Sequence, residues 1–207
     1  MPEYKTVQNS AQAEFTEKRS RFIGTCKPIK TEEEAIAFIN EMRSKYWDAR
    51  HNVYAYSLRD GQIMRYSDDG EPQGTAGIPV LEILQKGGIT DAVIVVTRYF
   101  GGILLGTGGL VRAYSHSAKL AVAEAQVITM RECILCSLTC SYTQYGKISS
   151  LIPELGGVQD DVEYADNVKI SFHIEETQLG TLNKQLADAT GGTVSVEVSD
   201  DRKYFKV

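Results

Sequence analysis

No apolar stretch in the 207-residue sequence approaches the roughly 20 residues that a membrane-spanning helix needs. An uninterrupted run such as Ala92–Val96 is only strand-sized. The N-terminus, MPEYKTVQNSAQAEF, lacks an apolar signal core, and the expectation is a cytoplasmic protein with no membrane partner. Histidine is scarce, and the four cysteines have no second Cys/His cluster that would complete a tetrahedral zinc site. Three of them, Cys133, Cys136 and Cys140, crowd the segment ECILCSLTC, which reads as a strand. Cys136 and Cys140 then share a face and Cys133 points the other way. They read as buried thiols in a reducing compartment, and no metal or cofactor is expected. Excess positive charge is also missing, since Lys and Arg total 22 against 27 Asp and Glu. The imbalance is uneven: from Glu132 onward there are 6 basic against 12 acidic residues, while the remainder holds 16 against 15. A polyanion such as RNA avoids the C-terminal part and is tolerated by the N-terminal part, so overall charge gives a nucleic-acid reading no support.

Enough apolar residues are present, 43%, to build a real core. Arg21–Ile29 reads as a strand. Thr31 with Glu34 three residues on fits a capping box, and Ala35, Ile36, Ile39, Met42 and Tyr46 follow at helical spacing, which predicts a helix over 31–46. Asn52–Leu58 alternates as a strand, and Asp60-Gly61 marks a hairpin turn into Gln62–Tyr66. The polar, Gly-rich segment 67–77 reads as an ordered loop, followed by a short helix over 78–85 with Pro79 in its first turn. Ala92–Val96 is apolar throughout and reads as a central strand buried on both faces. After a glycine-rich segment comes a long helix, with Val111, Tyr114, Ala118, Ala121, Val122 and Ala125 on one face.

Past Met130 the pattern restarts. Strand, helix, Gly-Gly and strand occur twice: 134–141, 145–155, Gly156-Gly157 and 158–164, then 168–175, 178–189, Gly191-Gly192 and 193–198. This duplication predicts the ferredoxin-like split βαβ arrangement. The fold class is α+β, in two domains, 1–131 and 132–207, with a short strand closing the first of them.

The strongest chemical signal is 97–114. A buried strand delivers the chain into Arg98-Tyr99-Phe100-Gly101-Gly102; Gly106, Thr107, Gly108 and Gly109 then open a helix. Bare glycine backbone and a helix N-terminus offer unpaired N–H donors to an anion. Arg98 and Arg112 flank the loop and suit bidentate contacts to phosphate or carboxylate. Arg112, His116 and Lys119 continue as a basic stripe. The spacing fits neither a Walker loop nor a Rossmann fingerprint, and a tight connection with glycines serving only packing is the competing reading. In the loop at 67–77, Asp68, Asp69 and Glu71 suit a hard cation or general-base work, or simply a solvated turn. His51, in ARHN before a strand, is a candidate against the background of ordinary hydrogen-bonded histidines, and no Ser-His-Asp or Cys-His arrangement follows from spacing.

These segments together resemble the YigZ/IMPACT family. The resemblance rests on SDDGEPQGTAGIPVLEIL and VIVVTRYFGGILLGTGGLVRAYSHSA, with EKRSRFIG and ARHNVYAY as lesser motifs. It implies an N-terminal domain like the second domain of a small-subunit ribosomal protein and domain IV of elongation factor G. That fold also hosts small-molecule kinases. It implies a ferredoxin-like C-terminal domain like the last domain of elongation factor G. Eukaryotic relatives act in translational control, competing for the activator of a kinase that senses amino-acid starvation. The module that makes that contact is not found here, and the interaction is not carried over.

Two functions are then expected. One is a translation-associated regulatory protein of the stress-response kind that contacts RNA or a ribosome-associated partner, with Tyr99 and Phe100 as stacking groups. The other is an enzyme acting on a phosphorylated or carboxylated small molecule held at the same loop. The candidate binding set is Arg98, Tyr99, Gly101, Gly102, Gly106, Thr107, Gly108, Gly109, Arg112, His51, Asp69 and Glu71; no catalytic residue is named.

Overall fold

The computed structural model describes residues 3–206, and among them five α-helices and ten strands form a mixed α+β architecture. Two compact units result: Tyr4–Thr129, and a second that runs from Met130 onward and takes in Glu3. No helix among the described residues is long and apolar enough to cross a membrane.

The first unit contains β1 (Glu3–Val7) from Tyr4 on, β2 (Ala11–Glu17), β3 (Ser20–Pro28), α1 (Glu32–Lys45), β4 (His51–Leu58), β5 (Ile63–Ser67), α2 (Gly77–Gly87), β6 (Ala92–Tyr99) and α3 (Thr107–Ala125). Strands β2-β3-β6-β4-β5 form one antiparallel sheet with β6 at its centre. Because side chains alternate along a strand, β6 serves two cores. Ala92, Ile94 and Val96 meet α2 and α3, while Val93 and Val95 meet Phe38, Ile39 and Met42 of α1. A strand buried on both faces is what the β-branched run AVIVV encodes.

Local chemistry explains the helix ends. The Thr31 hydroxyl accepts from the Glu34 N–H, but the Glu34 carboxylate returns to the N–H of Lys30 rather than of Thr31. In α3 the buried stripe is Leu110, Ala113, Tyr114, Ala118, Ala121 and Ala125. Val111, expected on that face, is 38% exposed. Leu110 holds the buried position, and its neighbour is turned about 100° away around the helix. Strand β2 was not anticipated. Its short alternation, Ala11, Ala13 and Phe15, lies at a sheet edge, where only one neighbour supplies hydrogen bonds.

The second unit contains β7 (Val127–Cys140) from Met130 on, α4 (Tyr142–Glu154), β8 (Val158–Tyr164), β9 (Val168–Ile174), α5 (Glu176–Thr190) and β10 (Glu197–Lys206). Strand β7 lies between β10 and β9, and β8 flanks β9, which is the ferredoxin-like order. Ile134, Cys136, Leu138 and Cys140 form a core with Ile148, Ile152, Leu182 and Leu186 of the helices. Two expectations change here. A short strand ending near Arg131 and a second beginning at Ile134 are one continuous strand, β7. The last strand is not 193–198 but Glu197–Lys206, whose polar sequence EVSDDRKYFK breaks register between Val198 and Arg202 as it pairs with β7. Its partner strand, not its own periodicity, makes it a strand.

All four cysteines are free and buried. Burial pushes the Cys136 thiol up to about 11 and the Cys26 thiol up to about 12, so neither forms a thiolate readily at neutral pH. In the same unit His173 is buried, with Nδ1 2.8 Å from Asp160 Oδ1 and its ring stacked on Phe205 at 3.5 Å.

Candidate functional site

The site forms where β6 leaves the sheet. Cross-strand register puts Phe22 on one side of Arg98 and His51 on the other. Arg98 points to the α2/α3 side, the face that Val96 and Ile94 occupy further down the strand. There it is buried, 5% exposed, and its Nη1 donates to Glu71 Oε1 at 2.5 Å. The hydroxyl of Tyr114, on α3, donates to the same oxygen at 2.8 Å. Burial, and then the Glu71 charge, push the Tyr114 phenol far above its ordinary value, so it stays a donor. The Arg98 Nε–H has no acceptor among the described residues. Arg98 is therefore already neutralised, and the expected clamp on a mobile anion is a buried ion pair in this structure.

The loop at 67–77 delivers Glu71, and its other carboxylates hold the loop itself. Asp68 accepts from the N–H groups of Gly74, Ala76 and Gly77 at 2.9, 3.1 and 2.8 Å, which caps α2 from eight residues upstream. Asp69, with a left-handed φ of 45°, accepts from Asn52 N–H at 2.6 Å and from Arg43 at 3.0 Å. Each carboxylate has protein donors and needs no metal to balance it. Asp68→Ala is expected to lower the stability of this unit by about 1–3 kcal/mol, since three N–H groups lose a charged acceptor. Urea denaturation read by circular dichroism checks this, with Asp68→Asn expected to lose less.

His51 Nδ1 lies 2.7 Å from the carbonyl oxygen of Asp69. A carbonyl can only accept, so Nδ1 carries the proton and Nε2 of the neutral ring is an acceptor. Nε2 is 3.8 Å from Glu71 Oε1, beyond hydrogen-bond reach. His51, Glu71 and Arg98 line one cavity of about 440 Å³ with Arg50, Gly70, Pro72, Phe100, Leu104, Leu105, Gly106, Thr107 and Leu110. At its mouth the Phe100 ring, 37% exposed, has the guanidinium carbons of Arg50 and Arg98 at 5.6 and 5.5 Å from its centroid. No side chain caps α3 at Gly106, so the N–H groups of Thr107, Gly108 and Gly109 have no acceptor within the helix.

The candidates do not all meet here. Gly109 and Arg112 line a second cavity of about 290 Å³ with Lys18, Glu17 and His116. The Tyr99 hydroxyl donates to Asp48 at 2.7 Å, and the phenol is pushed up chiefly by burial and by that bond. Gly101 serves packing: a Cβ there would stand 2.0 Å from the carbonyl carbon of Arg19. Gly102 and Gly106 take φ values of 83° and 70° with open space around them. Sequence reasoning missed two members of the cluster. Ser20 accepts from Gly101 N–H at 3.2 Å and contacts Arg98 Nη2 at 3.4 Å; it closes the turn inside the EKRS motif. Tyr114 appeared only as one more apolar position in a helical stripe.

Comparison with known proteins follows the same division of the chain. The Impact N-terminal domain family matches residues 18–122, and a family described as a domain of unknown function (DUF1949) matches residues 138–193. The chain is 35% identical over 195 residues to "IMPACT family member YvyE" of Bacillus subtilis (strain 168), covering 94% of this chain and 90% of that protein. It is 36% identical over 184 residues to "IMPACT family member YigZ" of Escherichia coli (strain K12), covering 86% and 89%. A solved structure described as "Crystal structure of an hypothetical protein" superposes with a TM-score of 0.61 at 31% identity, covering 97% of this chain and all of that one. A "Protein IMPACT homolog" of Dictyostelium discoideum is 42% identical over 106 residues, covering 49% of this chain and 29% of its own.

Proposed function

This chain belongs to the IMPACT family, and from that premise we propose that its first unit is a translation-associated regulatory module that recognises single-stranded RNA at the cavity beside β6. The observation that carries the reading is the half-exposed Phe100 ring at the mouth of a cavity large enough to take a base, with Arg50 beside it and Thr107, in the uncapped first turn of α3, in its lining. Aromatic stacking holds an unpaired base, while the N–H groups and Arg50 face phosphate. The near-balanced charge of the N-terminal part predicts a shallow salt dependence.

The test is fluorescence anisotropy with a labelled single-stranded RNA over a range of salt. Phe100→Ala is expected to weaken binding by about 1–3 kcal/mol, the usual worth of one stacked base. Arg50→Ala should weaken it less and flatten the salt slope by about one unit. RNA affinity unchanged in Phe100→Ala would sink the reading. The alternative, an enzyme on a phosphorylated or carboxylated small molecule, is favoured by one observation: His51 Nε2 is an oriented proton acceptor inside the cavity. Inorganic phosphate or a mononucleotide binding tightly there while RNA does not would select it.

A further inference from the structure

The polar wall of the cavity has a definite hydrogen-bonding sense. Glu71 Oε1 is taken by Arg98 and Tyr114, whereas Oε2 has no protein donor among the described residues although the side chain lines the cavity. His51 Nε2 is likewise an acceptor without a donor, because the Asp69 carbonyl holds the proton on Nδ1. The positive charge next to them, on Arg98, is already matched by Glu71 and buried. Two neighbouring acceptors, one of them anionic, therefore face a space walled by Phe100, Pro72, Leu105 and Leu110. A phosphate is repelled by this part of the lining and is left to Arg50 and the first turn of α3. A planar, neutral group that presents two adjacent donors satisfies it.

We propose that the cavity reads guanine. This rests on the RNA reading above and names the base it selects. Of the four RNA bases, guanine alone carries two adjacent donors on its Watson–Crick edge, N1–H and the N2 amino group, which match a carboxylate and a neighbouring imidazole nitrogen. Adenine and cytosine each offer one amino donor beside a ring acceptor that would face Glu71, and uracil offers one N–H between two carbonyls that would also face acceptors. A buried acceptor left unpaired is what makes the wrong base costly. Phe100 supplies the stacking face at the cavity mouth, and the uncapped first turn of α3 remains for the adjoining phosphate.

The experiment uses the full chain and a set of seven-nucleotide RNAs, uridine throughout except for a central guanosine, adenosine, cytidine, inosine or 1-methylguanosine. Central guanosine is expected to bind at least about ten-fold more tightly than central adenosine, the scale of one charge-assisted hydrogen bond. Inosine, which lacks the 2-amino group, should fall between them, and 1-methylguanosine should fall to the level of adenosine. These changes lie in the ligand, so protein stability does not enter. His51→Phe removes one acceptor and should narrow the guanosine preference in a chain whose far-UV spectrum matches wild type. Equal affinity for the guanosine and adenosine oligomers, with Phe100→Ala still weakening both, overturns the guanine assignment and leaves the RNA reading standing. Failure of every oligomer to bind removes both.

Discussion

Arg98→Ala is expected to lower the stability of the first unit by about 3–5 kcal/mol, enough to leave a large share of it unfolded at 37 °C. The cost comes less from the lost arginine than from what remains. Glu71, at 9% exposure, keeps one hydrogen bond, from Tyr114, and loses the guanidinium that pairs with it. Removing one partner of a buried pair leaves an uncompensated charge, which is the expensive outcome. A double variant, Arg98→Met with Glu71→Leu, should recover most of the loss, because both charges go and the volume is kept. Urea denaturation of the wild type, both single variants and the double variant gives the coupling directly. If Arg98→Ala unfolds at the same urea concentration as wild type, the ion pair is not the keystone described here.

That role for Arg98 was not legible in the sequence, and the reason is geometric. The TRYFGG segment and the EPQGTAG segment each announce something, but only the sheet brings Glu71 and Arg98, 27 residues apart, into contact. Local periodicity gave β6, α1, α2 and the repeat of the second unit, because those elements bury whole faces and burial leaves a pattern of its own. Elements whose bonds come from a neighbour left none: β2 and the charged part of β10 are strands through pairing. The site divides in the same way. Gly106, Thr107, His51 and Glu71 do share one cavity, whereas Arg112 and Gly109 belong to another, since Gly109 lies about 200° around α3 from Thr107, and Arg112 as far from Leu110. Tyr114 sits in an apolar stripe, and nothing in a stripe reveals that a hydroxyl at its edge reaches a buried carboxylate 43 residues away.

Gly101→Ala should be nearly as damaging as Arg98→Ala, while Gly108→Ala, seven residues on, should stabilise the protein. The two glycines belong to the same loop-to-helix segment but answer to different physics. At Gly101 an added Cβ would lie 2.0 Å from the Arg19 carbonyl carbon, 2.1 Å from its oxygen and 2.5 Å from the Ser20 nitrogen. All three are backbone atoms of the β2–β3 turn, so no side chain can swing aside. That turn already holds Lys18 and Arg19 at φ values of 45° and 66°, which leaves it little freedom to retreat. The loop must move instead, and the Gly101 N–H bond to Ser20 is lost with it. Overpacking of this kind costs about 3 kcal/mol or more. At Gly108 the nearest atom to an added Cβ is the far end of Arg112, at 3.6 Å, and the residue is helical. Alanine there should add about 0.4–1 kcal/mol by limiting the unfolded chain and favouring the helix. Denaturant midpoints of the two variants test the contrast, and RNA binding by Gly108→Ala decides what that glycine is for. A stabilised Gly108→Ala protein that no longer binds RNA assigns the glycine to close approach of the ligand to bare backbone. A stabilised variant that binds as wild type does removes Gly108 from the site. A destabilised one contradicts the helix start described here.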